Sequence, residues 1–191
     1  MRKIVLMMSV SLDGYLEGPG REIGWHRVDT ALHQHMNDVL APMGGFLSGR
    51  VTHELMADYW PAADADPKAD PVEAEFAAIW RDKPKIVFSR TLPPGPAEWH
   101  TTVVPEVSPA AVRALKEEPG GDLSLGGADL AATFLAHDLV DEFRIYIHPV
   151  LIGTGKRVFP QGPFAPSPLR LLETRAFDNG VVLIRHGRDT D

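Results

Sequence analysis

The sequence predicts an α/β fold with a mixed, mostly parallel central sheet, helices beside it and an antiparallel hairpin at the C-terminal end. Up to Asp138, short apolar runs alternate with helical patterns, which is typical of parallel strands joined by crossover helices. From Glu142 onward the patterns are mostly strand-like. Asp178-Asn179-Gly180 is an Asn-Gly hairpin signal between two such runs, which indicates antiparallel strands at that end.

Short apolar runs predict the strands: Lys3–Val10, Gly45–Ser48, Lys85–Phe88, Thr101–Val104, Asp122–Leu125, Glu142–Ile152, Leu169–Ala176 and Val181–His186. Apolar residues at helical spacing predict the helices: Asp29–Leu40, Thr52–Tyr59, Val72–Arg81, Ser108–Glu117 and Asp129–Asp138. Ser108 is a good N-cap because Pro109 follows it at the first helical position. Proline-rich loops complete the chain: Pro61–Pro71, Pro93–Pro96 and Pro160–Pro168.

Composition limits the classes of function. With 191 residues, 44% of them apolar, and no long linker, residues 1–191 are expected to form one domain. A net charge of −7 argues against a nucleic-acid or membrane-surface partner, because both need a basic surface. The chain has no cysteine, which excludes disulfides and thiolate metal sites and favours the cytoplasm. The eight histidines have no metal-ligand spacing, so no metal is expected.

Three turns carry the strongest functional signal, because each directly follows a predicted strand. They are Gly49-Arg50-Val51-Thr52, Ser89-Arg90 and Gly126-Gly127-Ala128-Asp129. A strand that ends in small residues and leads into a helix presents free backbone N–H groups to an anion. Arg50 and Arg90 add guanidinium groups, which can bind phosphate through two hydrogen bonds. Together the turns predict a nucleotide-binding site.

These turns also carry a family resemblance that covers nearly the whole chain in order. Ser11-Leu12-Asp13-Gly14 opens it, and Gly49–Thr52, Val87–Arg90 and Leu125–Ala128 follow. Asp141-Glu142 and the run from His148 to Gly155 complete it. The chain resembles the dihydrofolate reductase-like fold, in particular the C-terminal reductase domain of the riboflavin-biosynthesis deaminase-reductase and its stand-alone relatives. The resemblance implies a three-layer α/β/α domain.

The resemblance also implies NADPH as the cofactor. The Gly49–Thr52 turn, with Arg50 and Val51 in it, would face the pyrophosphate. Ser89 and Arg90 would meet the adenosine 2′-phosphate and so favour NADPH over NADH. The run of Leu125, Gly126, Gly127, Ala128 and Asp129 would let the cofactor approach the backbone closely. The implied activity is hydride transfer to a small heterocyclic or sugar-carbonyl substrate, as in 5-amino-6-(5-phosphoribosylamino)uracil reduction.

Four residues are candidates for contact with the substrate, and each has a structural alternative. Asp13 is a candidate catalytic residue beside the nicotinamide, or else the first residue of an Asp-Gly turn. Tyr146 is a candidate catalytic residue lining the pocket, or else a buried tyrosine with a structural hydrogen bond. Trp25 would stack on a substrate ring or pack in the core. Asp29 would bind the substrate ring or serve as a helix N-terminal charge.

Two further expectations concern substrate and assembly. The sequence has no basic cluster for a substrate phosphate, which allows a different substrate, dihydrofolate reductase-type activity, or a non-catalytic NADPH-binding homodimer. A homodimer through the C-terminal strands is expected, as the resemblance also implies. Leu169–Leu172 and Val181–Ile184 are apolar on both faces, and three phenylalanines add apolar area nearby: Phe159, Phe164 and Phe177.

Overall fold

A computed structural model of the chain describes residues 1–65, 68–159, 162 and 166–189. In these residues a nine-stranded sheet has the order β10-β11-β8-β1-β7-β3-β4-β6-β5. The strands are β1 (Ile4–Ser11), β3 (Gly45–Gly49), β4 (Lys85–Phe88), β5 (Gly95–Ala97), β6 (Thr101–Val104), β7 (Leu123–Gly126), β8 (Glu142–His148), β10 (Leu169–Ala176) and β11 (Val182–Arg188). A separate ribbon pairs β2 (Tyr15–Glu17) with β9 (Lys156–Arg157).

The central strands of the sheet are parallel. The pairs β1–β7, β1–β8, β3–β7, β3–β4 and β4–β6 run in the same direction. Antiparallel pairing is confined to β5–β6 at one edge and to β8–β11 and β10–β11 at the other. The predicted mixed sheet with an antiparallel C-terminal hairpin is therefore confirmed.

In the described part of the chain, five α-helices cover the two faces of the sheet: α1 (Thr30–Leu40), α2 (Arg50–Tyr59), α3 (Pro71–Asp82), α4 (Pro109–Glu117) and α5 (Ala128–Ala136). On one face, Val5 packs with Leu40 of α1 and with Phe76 and Trp80 of α3. Alternate strand residues point to the opposite face, where Leu6 packs with Phe134 of α5 in the largest apolar cluster. The result is the predicted α/β/α arrangement in three layers.

Most predicted elements occur within two residues of their predicted bounds, and the differences have local causes. The prediction that strand Glu142–Ile152 extends past His148 is wrong, since Pro149 has no N–H to donate to a ladder. Helix α2 begins at Arg50 and not at Thr52, because Gly49 is the N-cap. Pro93–Pro96 is not wholly a loop, because Gly95–Ala97 pairs with β6 at the edge of the sheet.

The two other predicted loops are only partly described. Trp60–Ala62 forms a turn of 3-10 helix that overlaps the start of Pro61–Pro71, and residues 66 and 67 lie outside the described residues. Most of Pro160–Pro168, including Phe164, also lies outside them. Across the described part of the chain, no helix has both the length and the apolar character needed to cross a bilayer.

Candidate functional site

The three turns singled out in the sequence lie side by side along the edge that is formed by the carboxyl ends of the parallel strands. Strands β7, β3 and β4 are neighbours, with Ser48 opposite Gly126 and Gly49 opposite Phe88. Because the strands are parallel, their carboxyl ends all reach this edge, and so do the turns that follow. Open α/β sheets bind their ligands at such an edge. The predicted convergence of the turns is therefore present.

The turns surround an open cavity of about 610 Å³, which we call the turn cavity. All three contribute to its wall, and β2, β9 and the segment after β6 close the remaining sides. Its lining residues are Leu16, Glu17, Gly49, Arg50, Val51, Thr52, Phe88, Ser89, Arg90, Thr91, Pro105, Glu106, Val107, Gly127, Ala128, Asp129, Leu130, Thr133 and Lys156. Its size is within the usual range of small-molecule and cofactor sites.

The two helices that begin at the turn cavity have no side chain capping their N-termini. Gly49 is the N-cap of α2 and Gly127 the N-cap of α5, and neither supplies a hydrogen bond from a side chain. The other three helices are capped by Asp29, Asp70 and Ser108. The first N–H groups of α2 and α5 therefore remain available to an anion, which the helix dipole also favours.

The charged side chains around the turn cavity differ in how they are paired. The Arg50 guanidinium lies 2.7 Å from Glu54 Oε2, one turn further along α2. Lys156 Nζ lies 2.5 Å from Asp129 Oδ2. Arg90 is exposed and makes no hydrogen bond or ion pair with any described residue. Arg90 is therefore the cation best placed to bind an incoming anionic group.

The remaining predicted cofactor residues have distinct positions. Val51 and Ala128 line the turn cavity beside the helix starts. Ser89 shapes its own turn, since its hydroxyl accepts hydrogen bonds from the N–H groups of Thr91 at 3.2 Å and Leu92 at 3.1 Å. Leu125 is fully buried in the core, so its side chain faces neither the turn cavity nor the cavity described next.

A second cavity, of about 230 Å³, lies between the sheet and helices α1, α2 and α3, and we call it the sheet cavity. Its lining residues are Met7, Met8, Ser9, Met36, Leu40, Phe46, Leu47, Ser48, Thr52, His53, Met56, Phe76, Trp80, Lys85, Ser124, Gly126 and Tyr146. Thr52 lines both cavities, and the adjacent Gly126 and Gly127 line one each. The two cavities therefore meet at Thr52 and the Gly-Gly pair.

Tyr146, a candidate for contact with the substrate, lies on the floor of the sheet cavity. Its side chain is fully buried, and its hydroxyl has no hydrogen-bond partner among the described residues. The structural hydrogen bond considered as its alternative role is therefore missing. Burial raises the pKa of Tyr146 to about 12, so the hydroxyl keeps its proton at neutral pH. It is available as a hydrogen-bond donor to a bound molecule.

The other candidate substrate residues lie outside both cavities. Asp13 holds the loop after β8, because its oxygens accept the N–H groups of Ile152 at 3.3 Å and Gly153 at 2.8 Å. Asp29 Oδ1 accepts the N–H of Leu32 at 2.8 Å as the N-cap of α1. Trp25 packs edge-on against His26 and His148. For Asp29 the geometry matches the structural alternative of a helix N-terminal charge, and Asp13 has a structural role in holding the loop after β8. Trp25 is half-buried and joins none of the described core clusters, so core packing does not describe its position.

The polar residues on the floor of the sheet cavity are not among the residues predicted from the sequence. Ser9, Ser48 and Ser124 lie in strands whose other residues are mostly apolar. A serine inside a buried strand can be used to predict a polar binding site, because burying a hydroxyl without a partner is costly. Lys85 was also not predicted as a cavity residue. It begins a strand and is only 2% exposed, whereas a lysine at the start of a strand is normally expected on the surface.

The residues from 2 to 183 match the family model of the RibD C-terminal domain. The chain belongs to this family. It is 36% identical to YyaP of Bacillus subtilis, an uncharacterized protein, over 184 residues that make up 96% of this chain and 93% of YyaP. The family membership confirms the resemblance drawn from the turns and makes the chain a member of a reductase-like family.

Solved structures with low sequence identity share the fold. A putative riboflavin biosynthesis protein from a Shewanella species superposes with a TM-score of 0.73 at 21% identity, covering 99% of both chains. The diaminohydroxyphosphoribosylaminopyrimidine deaminase/5-amino-6-(5-phosphoribosylamino)uracil reductase of Thermotoga maritima gives a TM-score of 0.66 at 14% identity. It matches 98% of this chain, which spans only 57% of that longer protein.

Proposed function

We propose that this protein is an NADPH-dependent reductase that acts on a small heterocyclic or sugar-carbonyl substrate. The observation that carries the proposal is the meeting of two cavities at Thr52 and the Gly126-Gly127 pair. A reductase of this type needs cofactor and substrate side by side, in a site that fixes their orientation and excludes water. The turn cavity has two helix N-termini without a capping side chain, and Arg90, unpaired among the described residues, to bind a dinucleotide. The neighbouring sheet cavity has the apolar lining for a small ring.

The turn cavity fits NADPH in its chemistry. The free N–H groups at the starts of α2 and α5 would bind the pyrophosphate, with Arg50 beside them. Arg90, which has no partner among the described residues, would bind the 2′-phosphate next to the Ser89 turn. At Gly127 a β-carbon would lie 2.7 Å from Oγ1 of Thr52, so glycine lets these two turns approach each other beside the cofactor. When bound, NADPH supplies the hydride, and the chain positions the two reactants.

Tyr146 is the residue we propose to act on the substrate. Its buried hydroxyl lacks a protein partner and stays protonated, so it can donate a hydrogen bond to a substrate oxygen or nitrogen. Dihydrofolate reductase-type activity is not proposed. Among the described residues that line the sheet cavity there is no carboxylate to bind a pteridine ring, and Asp29 caps a helix instead.

A homodimer is part of the proposal. Strand β10 forms one edge of the sheet, with Leu171 57% exposed and Leu169 41% exposed. Leu169 also lines an apolar groove of about 430 Å³ with Phe143, Ile145 and Ile184 of the neighbouring strands. A second copy of the chain would cover this surface, because an open apolar edge strand tends to pair with another chain. Composition alone supports a cytoplasmic location and the lack of a nucleic-acid partner.

Two measurements test the proposed function together. Calorimetric titration of the chain with NADPH should give saturable binding that is tighter than for NADH. Loss of the reduced-nicotinamide absorbance should then follow addition of the ribosylaminopyrimidine phosphate or of a panel of neutral heterocycles and carbonyl compounds. No binding at millimolar NADPH would overturn the cofactor, and tight binding without turnover of any compound would favour a non-catalytic NADPH-binding protein.

A further inference from the structure

The floor of the sheet cavity carries three hydroxyl groups, from Ser48, Ser124 and Tyr146. The hydroxyl of Tyr146 is buried and has no hydrogen-bond partner among the described residues. Buried polar groups are nearly always satisfied, because desolvation without a partner costs free energy. The unpaired Tyr146 hydroxyl therefore indicates that a bound molecule supplies its partner, and the two serine hydroxyls line the same cavity.

The walls of the same cavity are apolar and adaptable. Met36 comes from α1 and Met56 from α2, while Phe76 and Trp80 come from α3. Aromatic side chains and flexible thioethers suit the faces of a flat, apolar body. The cavity therefore fits a compact molecule that has apolar faces and a hydrogen-bonding edge directed at the sheet.

Little positive charge is available inside the sheet cavity. Of the described residues that line it, Lys85 alone has a cationic ammonium, and that group donates to the carbonyl oxygens of Lys83 at 2.8 Å and Trp99 at 2.7 Å. It also lies 4.2 Å from the centre of the Trp80 ring. Burial lowers the pKa of Lys85 to about 8 and also lowers the pKa of His53, so His53 is neutral at pH 7.

We propose that the sheet cavity takes an uncharged, unphosphorylated carbonyl or imine compound, with its polar edge on Ser48, Ser124 and Tyr146. This inference rests on the proposed reductase function and narrows its substrate class. Transfer of an anionic group into such a cavity would need a free cation that the lining does not provide. The substrate class therefore differs from the phosphorylated one that the Thermotoga protein's name describes.

The cations near the turn cavity cannot neutralise an anionic group that is bound inside the sheet cavity. Lys156 is already paired with Asp129, and the Arg157 guanidinium lies 4.6 Å from the centre of the Tyr15 ring. Both line a neighbouring pocket that shares residues with the turn cavity and none with the sheet cavity. A substrate phosphate would have to leave the sheet cavity to reach them.

A matched pair of quinones tests the proposal. 2-Methyl-1,4-naphthoquinone is uncharged, and 1,4-naphthoquinone-2-sulfonate carries an anionic group at the position of the methyl. Both compounds should be titrated calorimetrically into the NADP⁺-loaded protein, and their reduction should be followed with NADPH. Reduction moves two electrons and one proton from NADPH as hydride and takes the second proton from water, which gives the hydroquinone. We expect the neutral quinone to bind and react roughly tenfold or more better, because the sulfonate must be desolvated without a partner.

Substitution at Met36 supplies the reciprocal test. Met36→Lys places a cation in the cavity wall and should shift the preference toward the sulfonate by roughly tenfold. Met36→Leu is the matched control and should keep the preference for the neutral quinone. Should Met36→Lys fail to fold, judged by circular dichroism, Met56→Lys replaces it on the facing helix.

The outcomes separate this inference from the proposed function. Absence of NADPH binding overturns the reductase function alone, and titration of the two quinones into the protein without cofactor then still tests whether the sheet cavity prefers the uncharged compound. NADPH binding with a preference for the sulfonate overturns the substrate class alone. The proposed substrate class is also overturned if the neutral quinone does not bind at millimolar concentration. It is overturned as well if the ribosylaminopyrimidine phosphate is turned over better than its dephosphorylated form.

Discussion

A β-carbon at Gly127 would lie 2.7 Å from Oγ1 of Thr52. The two residues belong to different turns and meet where the turn cavity adjoins the sheet cavity. Gly127 also has a φ of +93°, a backbone conformation that residues with a side chain rarely adopt. The close approach of the two turns therefore depends on glycine at this position.

The first prediction is that Gly127→Ala weakens NADPH binding and lowers stability by about 1–3 kcal/mol through backbone strain and crowding. Gly95→Ala is the matched control, because Gly95 has a φ of +111° with no atom near its β-carbon position. Both variants should melt at lower temperature, and only Gly127→Ala should lose cofactor affinity. Equal NADPH affinity in the two variants would contradict the role of the Gly-Gly turn.

Cofactor preference should depend on Arg90. Arg90→Ala should remove most of the preference for NADPH over NADH, a change of about 1–3 kcal/mol for a charge-assisted contact. NADH affinity should change little. Arg113→Ala on α4 is the control, because Arg113 lines neither cavity. If the unmodified protein binds the two cofactors equally, the assignment of Arg90 is wrong.

Asp13 and Tyr146 should behave in opposite ways when they are substituted. Asp13→Asn loosens the loop held through Ile152 and Gly153, so the melting temperature should fall while turnover is largely kept. Tyr146→Phe removes a hydroxyl without a protein partner, so stability should hold. Its turnover should fall by roughly 10²-fold or more if the hydroxyl assists the reaction. Thermal melts beside steady-state kinetics measure both, and loss of turnover in Asp13→Asn alone would reverse the two roles.

The fold was predictable because its signals are local. Alternating apolar runs, the Ser108 cap and the Asn179-Gly180 turn each act within a few residues, and each is found in the structure. The turn cavity was predictable because parallel strands carry their carboxyl-end turns to one edge. The short strands β2, β5 and β9 were not predicted, since two or three residues give no period to detect.

The substrate side was less predictable because it depends on tertiary contacts. Asp13 and Asp29 are the polar residues that the sequence makes conspicuous, and both have structural roles: Asp29 caps its own helix, and Asp13 accepts the N–H of Gly153 far along the chain. The hydroxyls of Ser48 and Ser124 come from separate strands, and their proximity follows only from the strand order. The prediction that Phe177 adds apolar area to the dimer surface is also wrong, since Phe177 is 8% exposed and packs with Leu32 and Tyr146.

Acid stability should depend on Glu142, which is buried at the start of β8. Burial alone would raise its pKa, but hydrogen bonds from Arg185 at 2.6 Å and Arg144 at 2.8 Å outweigh burial and lower the pKa to about 2. A carboxylate with a depressed folded-state pKa stabilises the fold fully above its unfolded pKa of 4.5. That contribution is lost as the pH falls from about 4.5 to about 2.

Glu142→Gln should therefore lower the free energy of unfolding at pH 7 by about 2 kcal/mol, since Arg144 and Arg185 lose their buried partner. Its stability should also change less than that of the unmodified protein between pH 5 and pH 2. Glu173→Gln is the control, because Glu173 contacts Arg185 from a more exposed position. Urea titrations across this pH range measure the effect, and parallel curves for Glu142→Gln and the unmodified protein would contradict it.

The last prediction is a homodimer that covers β10 and β11. Leu169 and Leu171 on the edge strand β10 are 41% and 57% exposed, and Val182 on the adjacent β11 is 36% exposed. The apolar groove beside Ile184 continues this surface. Burying such an area in a two-fold interface removes it from water and leaves no free edge. Light scattering at micromolar concentration should therefore give twice the chain mass of 20.9 kDa.

Val182→Glu places a charge in the interface and should restore the monomer mass, while Thr102→Glu on β6 should leave the dimer intact. A monomer in the unmodified protein would overturn the dimer, and an unchanged mass in Val182→Glu would move the interface to another surface.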